Sequence, residues 1–252
     1  MRTDDQHVHV AIMAGGLGTR LMPVTSVLPK VLAPVGSRAL LDYVLDSIEK
    51  AGLTRVSLLL GNHAGLVEAY VASHAGQWPS LVITPRRDTG GLGTAAPLRE
   101  LDEDRAHLLV LNGDLLTDVD LGEIVGEHLR GEADVTVAGA VTETSSPFAV
   151  LHADDDDVLW GLEEKPVDRK VVAVGIYLLA PSARMCIRSQ GADDMPNLIE
   201  RAIGQGLRVR QYLLPTGSVC CDIGEPDRFM EAQTLAARMS APDSETGLAC
   251  RS

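Results

Sequence analysis

Aromatic residues are scarce, at 3% of 252, which leaves too few rings for a stacking platform along single-stranded nucleic acid. Positive charge is also short: 22 Lys and Arg face 35 Asp and Glu, a net charge of −13. A general nucleic-acid surface needs a basic stripe, so none is expected. A small anionic ligand stays open, because a few placed cations can serve one pocket inside an acidic surface. The four cysteines, Cys186, Cys220, Cys221 and Cys250, make no C-x-x-C spacing, so reduced structural thiols are expected. The histidines form no H-x-x-x-H pair, which argues against a zinc centre. No apolar run approaches a membrane span, and the opening MRTDDQ lacks the apolar centre of a signal peptide. A soluble cytoplasmic protein with no nucleic-acid or membrane partner is expected. No internal repeat is visible, and the run Asp154 to Asp157 reads as a solvated turn.

What the chain does have begins at once. The segment HVHVAIMA alternates and then becomes continuously apolar, as a strand buried on both faces does. It runs into Gly15, Gly16 and Gly18, with Arg20 and Lys30 close behind. Glycines permit a turn that aims a row of backbone N–H groups at one point, and such rows favour phosphate. Arg20 adds a planar fork suited to phosphate oxygens. The spacing is not that of a P-loop, since no lysine follows Gly18 in that pattern. Nor is it a dinucleotide fingerprint, because Leu21 stands where the third glycine belongs. Glycine clusters alone more often serve tight packing, and it is the cations behind this one that point to an anionic ligand.

Further along, strands and helices alternate, which predicts an α/β chain with a mostly parallel sheet. RALLDYVLDSIEKAG carries helical spacing, RVSLLLG and SLVITP read as strands, and GLVEAYVASHA as a helix. AAPLRELDED is expected to be helical, AHLLVLNGD a strand ending in a polar turn, DLGEIVGEHLRG a helix and DVTVAGAV a strand. From Thr142 the rhythm changes to the shorter strands FAVLHAD, VLWGLEEKP and VVAVGIYLLAP. DDMPNLIERAIGQG restores a helix, LRVRQYLL and GSVCCDIG are strands, and EPDRFMEAQTLAARM is a closing helix.

The segment AGGLGTRL followed by LPK resembles the signature of the sugar-1-phosphate nucleotidyltransferases, the nucleotide-sugar pyrophosphorylases. GGLGTA, VLNGD, EEKP, VGIY and CDIGEP match the same family in the same order, so the resemblance runs from about Val8 to about Ala236. It implies a Rossmann-like open sheet, mixed but mostly parallel, with helices on both faces and a small sugar-binding lobe. The implied organisation is a nucleotidyltransferase domain over 1–239 with the lobe at about 142–200, then a polar tail at 240–252 expected to be disordered. The form is short, without the C-terminal β-helix that many relatives carry.

The reaction implied is attack of a sugar 1-phosphate oxygen on the α-phosphorus of a nucleoside triphosphate, with pyrophosphate leaving. No covalent intermediate is implied, so positioning and charge neutralisation must supply the catalysis. By the same resemblance Ala14, Gly15, Gly16, Gly18 and Thr19 line the triphosphate, while Arg20 holds the leaving pyrophosphate and Lys30 neutralises the reacting phosphates. Asn112 and Gly113 belong to the nucleotide site, and Gly91, Gly93 and Thr94 frame the base. Asp114 and Asp222 are the implied ligands of a Mg2+ cofactor, a cation that accepts few carboxylates and leaves its other positions to phosphates and water. Glu164, Lys165 and Gly175 are implied to hold the sugar and its phosphate, with Lys165 also counted among the catalytic residues.

Two departures fall at the sugar and metal sites. Phe148-Ala149 stands where the family usually has Tyr-Gly, and Cys220 where it usually has Trp. Ala149 is therefore a candidate sugar contact, and a hexose, heptose or cyclitol phosphate all stay open as acceptor. The wording LGTA leans toward GTP. The alternative from another class is a non-catalytic, nucleotide-sugar-sensing regulatory subunit of the same fold; the presence of Arg20, Lys30 and both aspartates favours the enzyme. A homo-oligomer is left open.

Overall fold

The computed structural model describes residues 8–87, 93–101 and 106–239. β1 (Val8–Ala14) is followed by a loop of three 3-10 turns, the two-residue strands β2 (Pro34–Val35) and β3 (Arg38–Ala39), and helix α1 (Leu40–Lys50). Next come β4 (Arg55–Leu60), α2 (Ala64–Ser73), β5 (Val82–Arg87), β6 (His107–Asn112), β7 (Leu115–Thr117), α3 (Leu121–Arg130) and β8 (Val135–Ser145). The remainder is β9 (Val150–Ala153), β10 (Leu159–Glu163), β11 (Val167–Leu179), α4 (Pro181–Arg184), α5 (Met195–Gly204), β12 (Val209–Leu213), β13 (Cys220–Asp222) and α6 (Pro226–Met239).

Seven strands form one sheet in the order β12-β8-β11-β6-β1-β4-β5. All neighbours are parallel except β11, which runs antiparallel to β8 and β6. This is the expected mixed, mostly parallel α/β sheet. β1, flanked by β6 and β4, sends Val10 and Ile12 to one face and Ala11 to the other, and all three are fully buried. On the first face they meet Leu41, Val44, Leu45 and Ile48 of α1, whose spacing lays one apolar stripe on the sheet. On the second, Ala11 joins Leu59, Leu108 and Val110 beneath Met195 and Leu198 of α5. Each leucine so buried contributes about 1.5–3 kcal/mol. A third cluster, Leu21, Val35, Leu40, Leu116 and Ile223, is closed by Ala232 and Ala236 of α6 and lies beneath the glycine loop. Among the described residues no helix is long and apolar enough to cross a membrane.

Besides the short β2, β3 and α4, which were not anticipated, the chain departs from its expected elements in three places. AAPLRELDED forms only a 3-10 turn at Ala96–Glu100, beginning at a proline position and ending where Leu101 becomes extended; residues 102–105 lie outside the described residues. The strand expected to end near Thr142 instead runs on to Ser145, where it pairs with Val167 at the start of β11. The outer halves of β8 and β11 thus form a two-stranded ribbon, with the β9–β10 hairpin between them in sequence. Alternating charge on this ribbon, such as Arg169 against Glu143 at 2.8 Å, hides the strand period that burial would reveal. Within the segment 142–200, Ile176, Leu178, Ala183, Met195 and Leu198 pack into the main core, so the part that stands away from it is the ribbon and hairpin. The third departure is β7, three residues that pair antiparallel with β13 and were not anticipated as a separate strand. The tail at 240–252 lies outside the described residues.

At the end of the sheet away from the glycine loop, His107 opens β6 and its Nδ1 lies 2.9 Å from Nε2 of His128 on α3. The other ring nitrogen of His128 is 2.8 Å from the Thr136 hydroxyl. Burial first, and then His107, bring His128 down to about 4. Above about pH 6.5 both folded and unfolded imidazoles are neutral and this group leaves stability unchanged. Below it the unfolded chain takes up a proton that the folded chain refuses, so stability falls as pH falls toward 4, by about 3 kcal/mol in all. Urea midpoints at pH 7 and pH 5 should show a drop that is smaller in His128→Gln by about 2 kcal/mol.

Candidate active site

The crevice lies at the carboxyl ends of β1 and β6. The chain leaves β1 toward β4 on one side while β6 flanks it on the other, which is where open α/β sheets hold ligands. After Ala14 the backbone turns sharply, and Gly15 lies directly against Gly61, the residue that follows β4. A Cβ on Gly61 would stand 2.4 Å from the Gly15 carbonyl oxygen. Gly16 faces open space. Gly18 is left-handed (φ 62°), and its carbonyl accepts a hydrogen bond from the Thr25 hydroxyl at 2.7 Å. The loop therefore folds back on itself, leaving Thr19 and Arg20 exposed at its rim. Arg20 Nη1 donates to Glu225 Oε1 at 2.9 Å, just ahead of α6.

Lys30 approaches from the last 3-10 turn of the same loop, and its Nζ donates to Asp114 Oδ2 and lies 3.4 Å from Asp222 Oδ1. The β7–β13 pairing explains how two aspartates so distant in sequence converge. Leu115 sits opposite Asp222 in that ladder, and the Asp114 carbonyl accepts the Ile223 N–H at 3.0 Å. The Gly224 N–H fixes Asp222 Oδ1 at 2.6 Å. Asp114 lies at the floor and Asp222 at the rim, with side-chain exposures of 24% and 62%. Burial raises the Asp114 carboxyl above its ordinary range; Lys30 opposes this and the Asp222 carboxylate adds to it. Asp114 Oδ1 is buried and has no hydrogen-bond partner among the described residues.

Gly113 is held under β1 by its N–H to the Met13 carbonyl at 3.0 Å, so close that a Cβ there would meet that oxygen at 2.6 Å. Beside it, β11 breaks register between Ala173 and Tyr177, and Gly175 (φ 81°) lies against Asn112. Cys220 Sγ reaches the Val174 carbonyl at 4.0 Å, and burial pushes its thiol up to about 11, so it is an inert packing residue here.

Gly93 and Thr94 dock on the far side, against Asp193 and Asp194 ahead of α5. Asp194 Oδ1 accepts the Thr94 N–H at 2.9 Å. Burial would raise the Asp193 carboxyl, but Arg201 and the Arg188 N–H turn the balance and hold it below the usual carboxylate range. Gly91 lies outside the described residues.

The structure thus brings Lys30, Asp114 and Asp222 together, with Asn112, Gly113 and Gly175 adjoining. It does not bring Glu164 or Lys165 into that cluster. Both are exposed where β10 gives way to β11, Lys165 has a left-handed backbone (φ 46°), and neither side chain makes a hydrogen bond or ion pair among the described residues. Ala149 is half-buried between Phe148, which is 75% exposed, and the start of β9. Sequence reasoning missed Gly61, Glu225, Asp193 and Asp194. Only Gly61 carried a local signal, a glycine ending a buried strand.

Comparison with known proteins agrees with this architecture. A family model described as nucleotidyl transferase matches residues 9–238. The mannose-1-phosphate guanyltransferase of Yarrowia lipolytica is 28% identical over 89% of this chain, which spans 62% of that relative's length. A Bacillus anthracis protein described as a glucose-1-phosphate thymidylyltransferase superposes with a TM-score of 0.72 at 21% identity, over 93% of this chain and 97% of that one. HddC from Yersinia pseudotuberculosis, solved with GMP-PN, gives a TM-score of 0.68 at 21% identity, over 90% and 99% of the two chains.

Gly175→Ala should cost about 1–3 kcal/mol, since it forces a left-handed backbone on alanine and drives a methyl to 2.6 Å from Asn112 Nδ2. The midpoint of urea unfolding should fall while the m-value stays the same.

Proposed function

Since the chain belongs to the nucleotidyl transferase family, we propose that it transfers a nucleoside monophosphate from a nucleoside triphosphate to a sugar 1-phosphate, releasing pyrophosphate. The observation that carries the reading is the convergence of Lys30 with Asp114 and Asp222 at the switch point of the sheet. Two phosphate-bearing anions must be drawn together there, and their repulsion sets what the site needs: fixed N–H donors, cations and a divalent metal.

The residues present fit Mg2+. Two hard carboxylate oxygens are available, and the buried Asp114 Oδ1 has no partner among the described residues. Among the described residues no group of three or more acidic, His or Cys side chains could enclose a metal, so phosphate and water would complete the shell. When bound, Mg2+ would neutralise phosphate charge and help orient the α-phosphate.

The chain's own groups do the rest. Backbone N–H groups of Gly15, Gly16 and Thr19 receive the triphosphate, and Arg20 exchanges Glu225 for the departing pyrophosphate. Lys30 turns from the aspartates to the reacting phosphates and stabilises charge that grows in the transition state. Glu164, Lys165, Gly175 and Ala149 form the sugar side, with the ribbon and hairpin as its outer wall, and Gly93 and Thr94 stand on the base side. GTP is the proposed donor and a hexose 1-phosphate the first acceptor to test. The guanyltransferase relative and the GMP-PN complex of a structural neighbour support the base, and Ala149 keeps heptose and cyclitol phosphates in the panel.

Pyrophosphate release should be screened with four triphosphates against sugar 1-phosphates. Excess chelator should abolish turnover and added Mg2+ restore it, and Asp114→Asn should cripple the rate with its fold intact. Turnover that persists in chelator removes the two-aspartate metal proposal. Lys30→Ala should lose roughly 10²–10³ in kcat; near wild-type kcat/KM, with circular dichroism unchanged, would dismiss its role.

A further inference from the structure

The short loop Gly93–Ala96 is held in place by a turn about a hundred residues later. The Asp193 carbonyl accepts two N–H groups, from Ala95 at 2.8 Å and Ala96 at 3.0 Å. Asp194 Oδ1 takes the Thr94 N–H at 2.9 Å, and the Thr94 hydroxyl accepts in return from the Met195 N–H at 3.0 Å. The two segments approach so closely that a Cβ on Gly93 would stand 2.4 Å from the Asp193 carbonyl oxygen and 2.6 Å from Asp194 Oδ1.

The turn is itself anchored from behind. The Asp193 side chain is fully buried, and its Oδ2 accepts from Arg201 Nη2 at 2.6 Å and from the Arg188 N–H at 3.0 Å. Its Oδ1 has no partner among the described residues. A buried carboxylate is expensive, and one with an unsatisfied oxygen more so, unless its geometry is needed. A loop whose only task was to lead into β6 would not require such an anchor.

We infer that Asp194, seated by the buried Asp193–Arg201 pair, is a positioning residue that fixes the Gly93–Ala96 backbone and so sets which triphosphate the site prefers. The inference rests on the reading of Gly93 and Thr94 as the base side of the site. Discrimination between bases depends on whether fixed donors and acceptors meet the ring edge or are left unpaired, so a backbone free to shift loses selectivity before it loses chemistry. Asp194 is exposed and touches neither phosphate cation, which separates its effect from theirs.

The test compares Asp194→Ala, which removes the acceptor, with Asp194→Asn, which keeps an oxygen in its place, in the full chain. Three readouts are needed: amide hydrogen exchange, calorimetric titration with GTP and with ATP in Mg2+, and steady-state kinetics. Asp194→Ala should speed exchange at Thr94 and weaken binding of the preferred triphosphate about tenfold, the scale of one lost hydrogen bond to a charged group. It should narrow the GTP-to-ATP ratio, with the KM for sugar 1-phosphate and kcat within about twofold of wild type. Asp194→Asn should restore exchange, affinity and ratio. Unchanged exchange, faster exchange with unchanged affinities, or an effect that asparagine does not rescue would each overturn the inference. Arg201→Lys, which keeps charge but loses the fork, should give the same pattern in milder form. If the wild type binds triphosphate but releases no pyrophosphate with any acceptor, the transfer reading falls while the titrations still decide this one. A wild-type chain that binds no triphosphate overturns both.

Discussion

Two carboxylates in one half-buried crevice repel each other, and the Lys30 ammonium between them is what lets this site exist in the folded protein. Asp114 has little water to dissipate its charge, and Asp222 stands close enough to worsen its position. Lys30 opposes both effects while contacting each aspartate. The β7–β13 ladder is only three residues long on each side, and it ends at the repelling pair. Lys30 offsets that repulsion at the end of the ladder. Under the proposed function the same cation would be free to meet anions once a metal took over its partners.

Backbone approach is the second constraint. The loop after β1 passes within contact of the chain after β4, and Gly113 tucks beneath Met13. At these crossings a methyl group would replace the contact that forms the crevice floor. The glycines thus let three strand ends close on one small volume. The shape of this volume follows from how tightly main chain can pack.

Much of this was legible in the sequence because burial writes itself as pattern. HVHVAIMA, RVSLLLG and AHLLVLNGD lie in the sheet centre, and their unbroken apolar runs mark them as two-sided strands. Lys30, Asp114 and Asp222 were found through motif resemblance, since nothing local in LPK or CDIG says that the two segments meet. β7 is too short to show a period, and it exists because β13, already legible in GSVCCDIG, pairs with it. The outer ribbon of β8 and β11 escaped for the opposite reason, being long but solvated on both faces. Asp193 and Asp194 sit in an ordinary polar stretch, and only the fold reveals that one is buried and the other stapled to Thr94.

The pairing of Thr117 with the segment around Val219 spans 102 residues, and Lys30 and Asp222 are 192 positions apart. During synthesis at about 5–20 residues per second, roughly 5–20 s separate the emergence of the first aspartate from that of the second. For that interval the nascent chain carries a lysine and one carboxylate but no complete site. The earlier strands and α1 can already condense, because their contacts are more local. The β7–β13 pairing therefore cannot form until Cys220–Asp222 has been made, and Asp222 joins Lys30 and Asp114 only then. A ribosome-bound or truncated fragment that ends before Asp222 lacks one of the two carboxylates, so under the proposed function the order in which the chain is made works as a built-in delay on assembly of the site.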